Sequence, residues 1–196
     1  MLFKGKYTEK QWENIIPRLY QKFGDTYVAK VKCTPKEYYA RMTDEELTAT
    51  LSVHLKEQIP VPDFLCCEIE GRNCTEALLS LLKSDDGETV SYAINLVGAD
   101  ERAFPDYFSM ITENKFDEDI RDAAVEKLKE NADKATEAAL KFYKEGTAKE
   151  YMLEILSRAK KRDEGIFRIL LDEFLSDVGR VPMHAGYLAA YGDERA

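Results

Sequence analysis

The feature that most constrains this chain is a unit of about 31 residues that recurs along its last two-thirds, each time joining two amphipathic helices at an aspartate turn. Its clearest copies are Gly98-Ala99-Asp100-Glu101-Arg102-Ala103-Phe104-Pro105 and Gly192-Asp193-Glu194-Arg195-Ala196. The turn aspartates stand at 100, 133, 163 and 193, spacings of 33, 30 and 30. One helix pair cannot bury both of its faces alone, so copies at this period are expected to stack into a quasi-one-dimensional solenoid. The fold class expected is all-α: a right-handed α-α superhelix preceded by a few N-terminal helices.

Apolar stripes at helical spacing recur in phase with those turns. Ala77, Leu78, Leu81 and Leu82 mark a first helix, and Val90, Ala93, Ile94 and Val97 a second. The next unit reads Phe104, Phe108 and Ile111, then Ile120, Ala123, Ala124 and Leu128. Another has Ala135, Ala139 and Phe142, turns at Gly146-Thr147, and continues with Met152, Ile155, Leu156 and Ala159. The last has Ile166, Ile169, Leu170 and Phe174, a turn at Ser176-Asp177, then Met183, Gly186, Tyr187 and Ala190 facing inward. Each turn aspartate is expected to accept from free amides of the following helix, worth about 0.5–2 kcal/mol. Ala93, Ala123, Ala124 and Gly186 are small enough to let neighbouring helices close up.

The N-terminal part reads as separate helices, a segment 1–60 that packs on or caps an array spanning 61–196. Thr8 can cap a helix through Phe23, with Trp12, Ile15, Ile16, Leu19, Tyr20 and Phe23 on one stripe and either a kink or a break into two short helices at Pro17. Thr34-Pro35 starts another with proline at its first position. Thr43-Asp44-Glu45-Glu46 is a capping box, opening a helix that buries Leu47, Leu51, His54 and Leu55. Pro60-Val61-Pro62 blocks helix continuation and is the expected boundary. The chain stops where the next first helix would begin, so the array is expected to be truncated at its C-terminal end.

With 44% hydrophobic residues but only 10 Gly and 6 Pro, composition favours helix over a turn-rich all-β fold. The net charge of −9 is uneven: +2 over residues 1–60 and −11 over residues 61–196. An acidic array repels phosphate backbones and attracts basic partner surfaces. The cysteines, at 33, 66, 67 and 74, make a poor disulfide framework, and Met1-Leu2-Phe3-Lys4-Gly5-Lys6 lacks an apolar leader. No apolar run approaches the roughly 18 residues of a membrane span. A cytoplasmic protein with reduced thiols and no membrane partner is expected.

The unit resembles the HEAT-like, armadillo-type repeats common in bacterial proteins. The matching residues are Asp117, Ile120, Arg121, Ala124 and Leu128 in one copy, with Asp100-Glu101-Arg102-Ala103-Phe104-Pro105 and Asp193-Glu194-Arg195-Ala196 at turns. The resemblance covers roughly residues 70–196 and departs at Val90-Ser91 and Met183-His184, where the Ile-Arg pair is missing. It implies an alpha-solenoid adaptor whose concave face is formed by the second helices. On this chain the outward second-helix positions are Thr89, Tyr92, Asp119, Asp122, Glu126, Tyr151, Glu154 and Arg158, an acidic, tyrosine-bearing surface suited to a basic protein or peptide. Other members of such families act as DNA-base glycosylases or chromophore lyases, or dock a second polypeptide. A glycosylase needs a basic groove with aromatic residues and a carboxylate. Against that, the repeats are acidic and Trp12 precedes them.

No catalytic, cofactor-binding or metal-binding residues are assigned, and no cofactor is implied. His54 and His184 belong to no metal or catalytic spacing and read as buried histidines. Cys66, Cys67 and Cys74 lack zinc geometry and read as free core cysteines. The pairs Glu101/Asp106 and Asp172/Glu173 arise readily among 37 acidic residues. Lys160-Lys161-Arg162 suits the negative end of a helix dipole. No phosphate loop or nucleophile elbow occurs. The function expected is therefore a non-enzymatic interaction scaffold.

Overall fold

The computed structural model describes residues 35–57, 59–72, 74–113, 115–176 and 178–195. Among them all regular structure is helical. The helices are α1 (Pro35–Tyr39), α2 (Asp44–Lys56), α3 (Asp63–Arg72), α4 (Thr75–Leu81), α5 (Gly87–Val97) and α6 (Phe104–Thr112). They continue with α7 (Glu118–Glu130), α8 (Ala132–Lys144), α9 (Lys149–Ser157), α10 (Glu164–Ser176) and α11 (Val181–Tyr191), and short 3-10 turns cover Glu101–Ala103 and Val178–Arg180. The helix expected from Thr8 to Phe23 lies outside the described residues. The chain divides into two compact units, Met1–Thr89 and Val90–Ala196. No helix among the described residues is long and apolar enough to cross a membrane.

In the first unit, capping chemistry sets the start of α2. Thr43 Oγ1 accepts from the Glu46 amide at 3.2 Å, and the Glu46 carboxylate accepts from the Thr43 amide at 2.9 Å. This reciprocal box satisfies two donors that the first helical turn leaves free. The helices α1 and α2 both pack on α3, and α2 also on α4, around Leu47, Leu51, Leu55, Leu65 and Ile69. Arg72, ending α3, donates to the Ala40 carbonyl at 2.6 Å, the Tyr39 carbonyl at 3.3 Å and the Met42 carbonyl. Its Nε donates to the Glu68 carboxylate at 2.7 Å. One guanidinium thus closes the carbonyls that α1 leaves open. His54 is buried as the stripe predicts, with Nδ1 2.9 Å from the Pro60 carbonyl. Burial pulls its pKa down. Pro60-Val61-Pro62 links α2 to α3 within this unit.

The second unit holds three helix pairs, α6 with α7, α8 with α9 and α10 with α11. The second helices adjoin in order, α7 against α9 and α9 against α11. Leu128, Met152, Leu153, Ile155, Leu156 and Tyr191 of these helices, and Tyr107 of α6, are fully buried. Each such aliphatic side chain contributes about 1.5–3 kcal/mol of transfer free energy. Gly98 and Gly192, at φ of 64° and 65°, turn the chain out of α5 and α11 in the left-handed region that glycine adopts without steric cost.

Three turn aspartates bond to amides just after them, Asp100 and Asp163 at the start of the following helix as the sequence predicts, and Asp193 within its turn. Asp100 Oδ1 takes the Arg102 amide at 2.9 Å, Asp163 Oδ1 the Gly165 and Ile166 amides at 2.8 and 3.1 Å, and Asp193 Oδ1 the Arg195 amide at 3.1 Å. Asp133 differs. It sits inside α8, and its Oδ1 accepts from the Lys160 and Lys161 amides at 2.7 and 2.9 Å, capping the turn after α9 instead of its own helix. The basic run Lys160-Lys161-Arg162 therefore lies in a turn held by a carboxylate, and Arg162 donates to the Ala159 carbonyl at 3.1 Å.

The inward register expected for the last helix is corrected by one position. His184, Leu188 and Tyr191 are the buried residues of α11, whereas Met183 and Gly186 are exposed. The sequence VPMHAGYLAAY is apolar almost all round, so its stripe is poorly defined. A Cβ on Gly186 would meet nothing within 4 Å, so this glycine serves no close helix contact, unlike the buried Ala93 and Ala124.

Candidate functional site

Helix periodicity places Asp119, Asp122 and Glu126 on one face of α7, at i, i+3 and i+7. All three are exposed. Because α7 packs against α9, this face continues onto half-buried Tyr151 and Glu154. Lys129 Nζ lies 2.6 Å from Glu126 Oε1 and 2.6 Å from Glu154 Oε1, joining the two helices. Burial alone would lower the Lys129 pKa, but its two carboxylate partners outweigh that and raise it. The Arg121 guanidinium stands 5.8 Å from the Tyr151 ring centroid. Burial, then the nearby Asp122 carboxylate, pushes the Tyr151 phenol upward, partly offset by Arg121.

The structure therefore joins Asp122 with Tyr151, and Glu126 with Glu154 through Lys129. Arg158 is the exposed residue that ends α9, and Tyr92 is half-buried on α5. Thr89 is fully buried; its amide donates to Asp86 Oδ2 at 2.8 Å and its hydroxyl goes to the same oxygen. A side chain so enclosed offers no surface to a partner.

The first helices carry a different feature. An open groove of about 620 Å³ runs between α6 and α8, floored by Phe104, Pro105, Phe108, Ala138 and Phe142. The Phe108 and Phe142 rings sit 5.4 Å apart, and Glu101 and Lys134 pair at 3.4 Å on the rim. Phe104 and Phe108 are buried as their stripe predicts and Phe142 is half-buried; the groove itself is not visible in a stripe, which does not reveal how far two neighbouring helices stand apart.

Among the described residues, no three His, Cys, Asp or Glu side chains converge to hold a metal ion. Cys74 is buried and Cys66 half-buried, but Cys67 is exposed, not core as expected. Burial pushes the Cys66 and Cys74 thiols up to about 11, Cys74 with added help from Asp44. Neither is a ready nucleophile at neutral pH.

Sequence reasoning missed one cluster. Glu150 of α9, Glu173 of α10, Arg180 of the second 3-10 turn and His184 of α11 converge at the junction of the last two helix pairs. Tyr143 and Lys149 complete it, each 2.6 Å from Glu173 Oε1. Tyr143 and Glu173, like Glu150 and Arg180, are 30 residues apart, the spacing of the aspartates at 133, 163 and 193. That coincidence of spacing and opposite chemistry was the signal available in the sequence.

No family model, no curated protein and no solved structure matches the chain.

Proposed function

We propose that this chain is a non-enzymatic interaction scaffold, a HEAT-like solenoid of the right-handed α-α kind that captures a basic protein or peptide in the cytoplasm. The observation that carries the reading is the row α7–α9–α11, which sets Asp119, Asp122, Glu126, Tyr151 and Glu154 along adjoining second helices. Contacts at the repeat period support the stacking: Tyr143 with Glu173, Glu150 with Arg180, and Glu164 with Arg195 lie 30, 30 and 31 positions apart. Exposed carboxylates beside a half-buried tyrosine offer charge attraction and a flat apolar contact to lysine or arginine side chains. Buried Thr89 is not part of this face.

The test is capture of a lysine- and arginine-rich peptide by the intact chain and by the triple variant Asp119→Lys, Asp122→Lys, Glu126→Lys. All three positions are exposed, so the variant should keep its helical circular dichroism. At least a tenfold loss of affinity is expected at low salt, shrinking as salt rises. Equal capture by both proteins would defeat the reading.

A further inference from the structure

Buried polar atoms that face each other without bonding are the strongest lead outside the proposed face. His184 is 1% exposed. Its Nδ1 stands 3.0 Å from the Glu173 backbone carbonyl. A carbonyl oxygen only accepts, so Nδ1 carries a hydrogen and donates it. The other ring nitrogen, Nε2, lies 3.5 Å from Glu150 Oε2, and both of these atoms are buried without a hydrogen-bond partner. Were the imidazole neutral, Nε2 would present a lone pair to a carboxylate lone pair. Arg180 donates to the other Glu150 oxygen, the pairing expected of a carboxylate anion.

The geometry points to a proton held between His184 and Glu150: as the imidazolium, His184 donates from both nitrogens and latches the start of α11 onto α9 and α10. One proton settles both orphan atoms. The hydrogen bonds that the imidazolium donates to Glu150 and to the Glu173 carbonyl are what hold the latch closed.

Groups face the ring from every element packed on it. Helix α9 brings Glu150 and Lys149, and α10 brings Glu173, which bonds Lys149 and the Tyr143 hydroxyl of α8. The 3-10 turn brings Arg180, and α11 itself brings the Tyr187 ring at 6.0 Å, with Glu154 beyond it. Burial pushes the Glu173 carboxyl up, but the Lys149 and Tyr143 hydrogen bonds and the Lys149 and His184 charges outweigh it and hold the carboxyl below its usual range. Lys149 and Arg180 each balance a carboxylate, so they oppose the extra proton, while the lone-pair conflict at Nε2 favours it.

Linkage sets the sign. An exposed histidine gives up its second proton above about pH 6.5. Lifting α11 from α9 then releases one proton, and the opening equilibrium rises about tenfold per pH unit above that value. Below it both states are protonated and opening does not depend on pH.

The experiment follows the imidazole nitrogen shifts and the hydrogen exchange of α11 amides on the full chain, from about pH 5 to 8. The expected result is a His184 ring that carries hydrogen on both nitrogens while α11 is docked, with α11 opening at a slope of one proton. Glu150→Gln is near-isosteric, and its amide can donate to a neutral Nε2, so the ring should lose its second proton and the slope should vanish. A ring neutral at Nε2 throughout, or a slope unchanged in Glu150→Gln, overturns the latch.

Discussion

The Tyr191 hydroxyl accepts the Asp163 amide hydrogen at 2.7 Å and lies 3.1 Å from the Asp163 carbonyl, so one side chain closes both backbone groups of a turn 28 residues away. The Arg162 guanidinium covers the same ring at 4.6 Å. Tyr107 performs the simpler half of this task, donating to the Gly98 carbonyl at 2.7 Å. Both rings are fully buried, so Phe fits either site. Tyr191→Phe strands a donor and an acceptor and should cost about 2–3 kcal/mol, while Tyr107→Phe strands one acceptor and should cost about 1 kcal/mol. Urea unfolding measures both, and equal losses would contradict the assignment.

The Lys129 bridge makes a second prediction. The lysine side chain is 11% exposed, Glu154 30% and Glu126 62%. Screening weakens the Glu126 contact, so the coupling should reside mainly with Glu154. Lys129→Met keeps the apolar stem and leaves a partly enclosed carboxylate unpaired, at about 1–2 kcal/mol. Glu126→Gln should cost about 0.5 kcal/mol or less, and less than Glu154→Gln. A double-mutant cycle of Lys129 against each glutamate separates the two contacts.

How much of this was readable in advance depends on the range of the interaction. The Thr43 box is local, and its residues alone predict it; the cap of Asp117 on the Ile120 amide is equally local. The stripe Leu47, Leu51, His54, Leu55 is buried as read, since 3.6-residue periodicity needs no knowledge of neighbours. Asp133 caps outside its own helix because its partners, the Lys160 and Lys161 amides, belong to the turn after α9. In α11, a histidine and a tyrosine are buried beside Leu188 while Met183 is exposed, so hydrophobicity ranking alone does not set the register. Of the candidate face, the exposure of Asp119, Asp122 and Glu126 follows from helical periodicity, but the Lys129 bridge joins residues 25 apart. His184 and Glu150, 34 positions apart, meet only once α11 has docked on α9.

Glycine substitutions should have opposite signs at exposed Gly186 and half-buried Gly98. Gly186 lies inside α11 with open space where a Cβ would stand, so Gly186→Ala should stabilise by about 0.5–1 kcal/mol through lower unfolded-state entropy. Gly98 also has open space, but its φ of 64° is one that alanine resists. Gly98→Ala should therefore destabilise by about 1 kcal/mol. Both changes are read as shifts in the urea midpoint at constant slope. A destabilising Gly186→Ala would mean that α11 packs more tightly at that face than its exposure indicates.

Strong alkali should unfold the chain through its buried phenols. Burial pushes Tyr39, Tyr107 and Tyr143 above the usual tyrosine value, and Tyr187 up to about 12, while two carboxylates raise Lys129. Each folded value lies above its unfolded one, near 10 for tyrosine and 10.4 for lysine. The folded state thus binds more protons than the unfolded chain once pH passes about 10, and stability falls from there upward. The acid limb has the reverse sign. Bonds from Thr89 hold Asp86 below its usual value, and Arg102 does the same for Asp100, so their contributions are present above about pH 4 and fade as pH drops. On a stopped-flow pH jump to alkali, the exposed tyrosines should ionise at once and the tyrosinate band of Tyr39 and Tyr107 should appear only with loss of helical signal. Tyr107→Phe should shallow the fall in stability above pH 10. If every phenol ionised before the helices melted, burial would not be what sets these side chains apart.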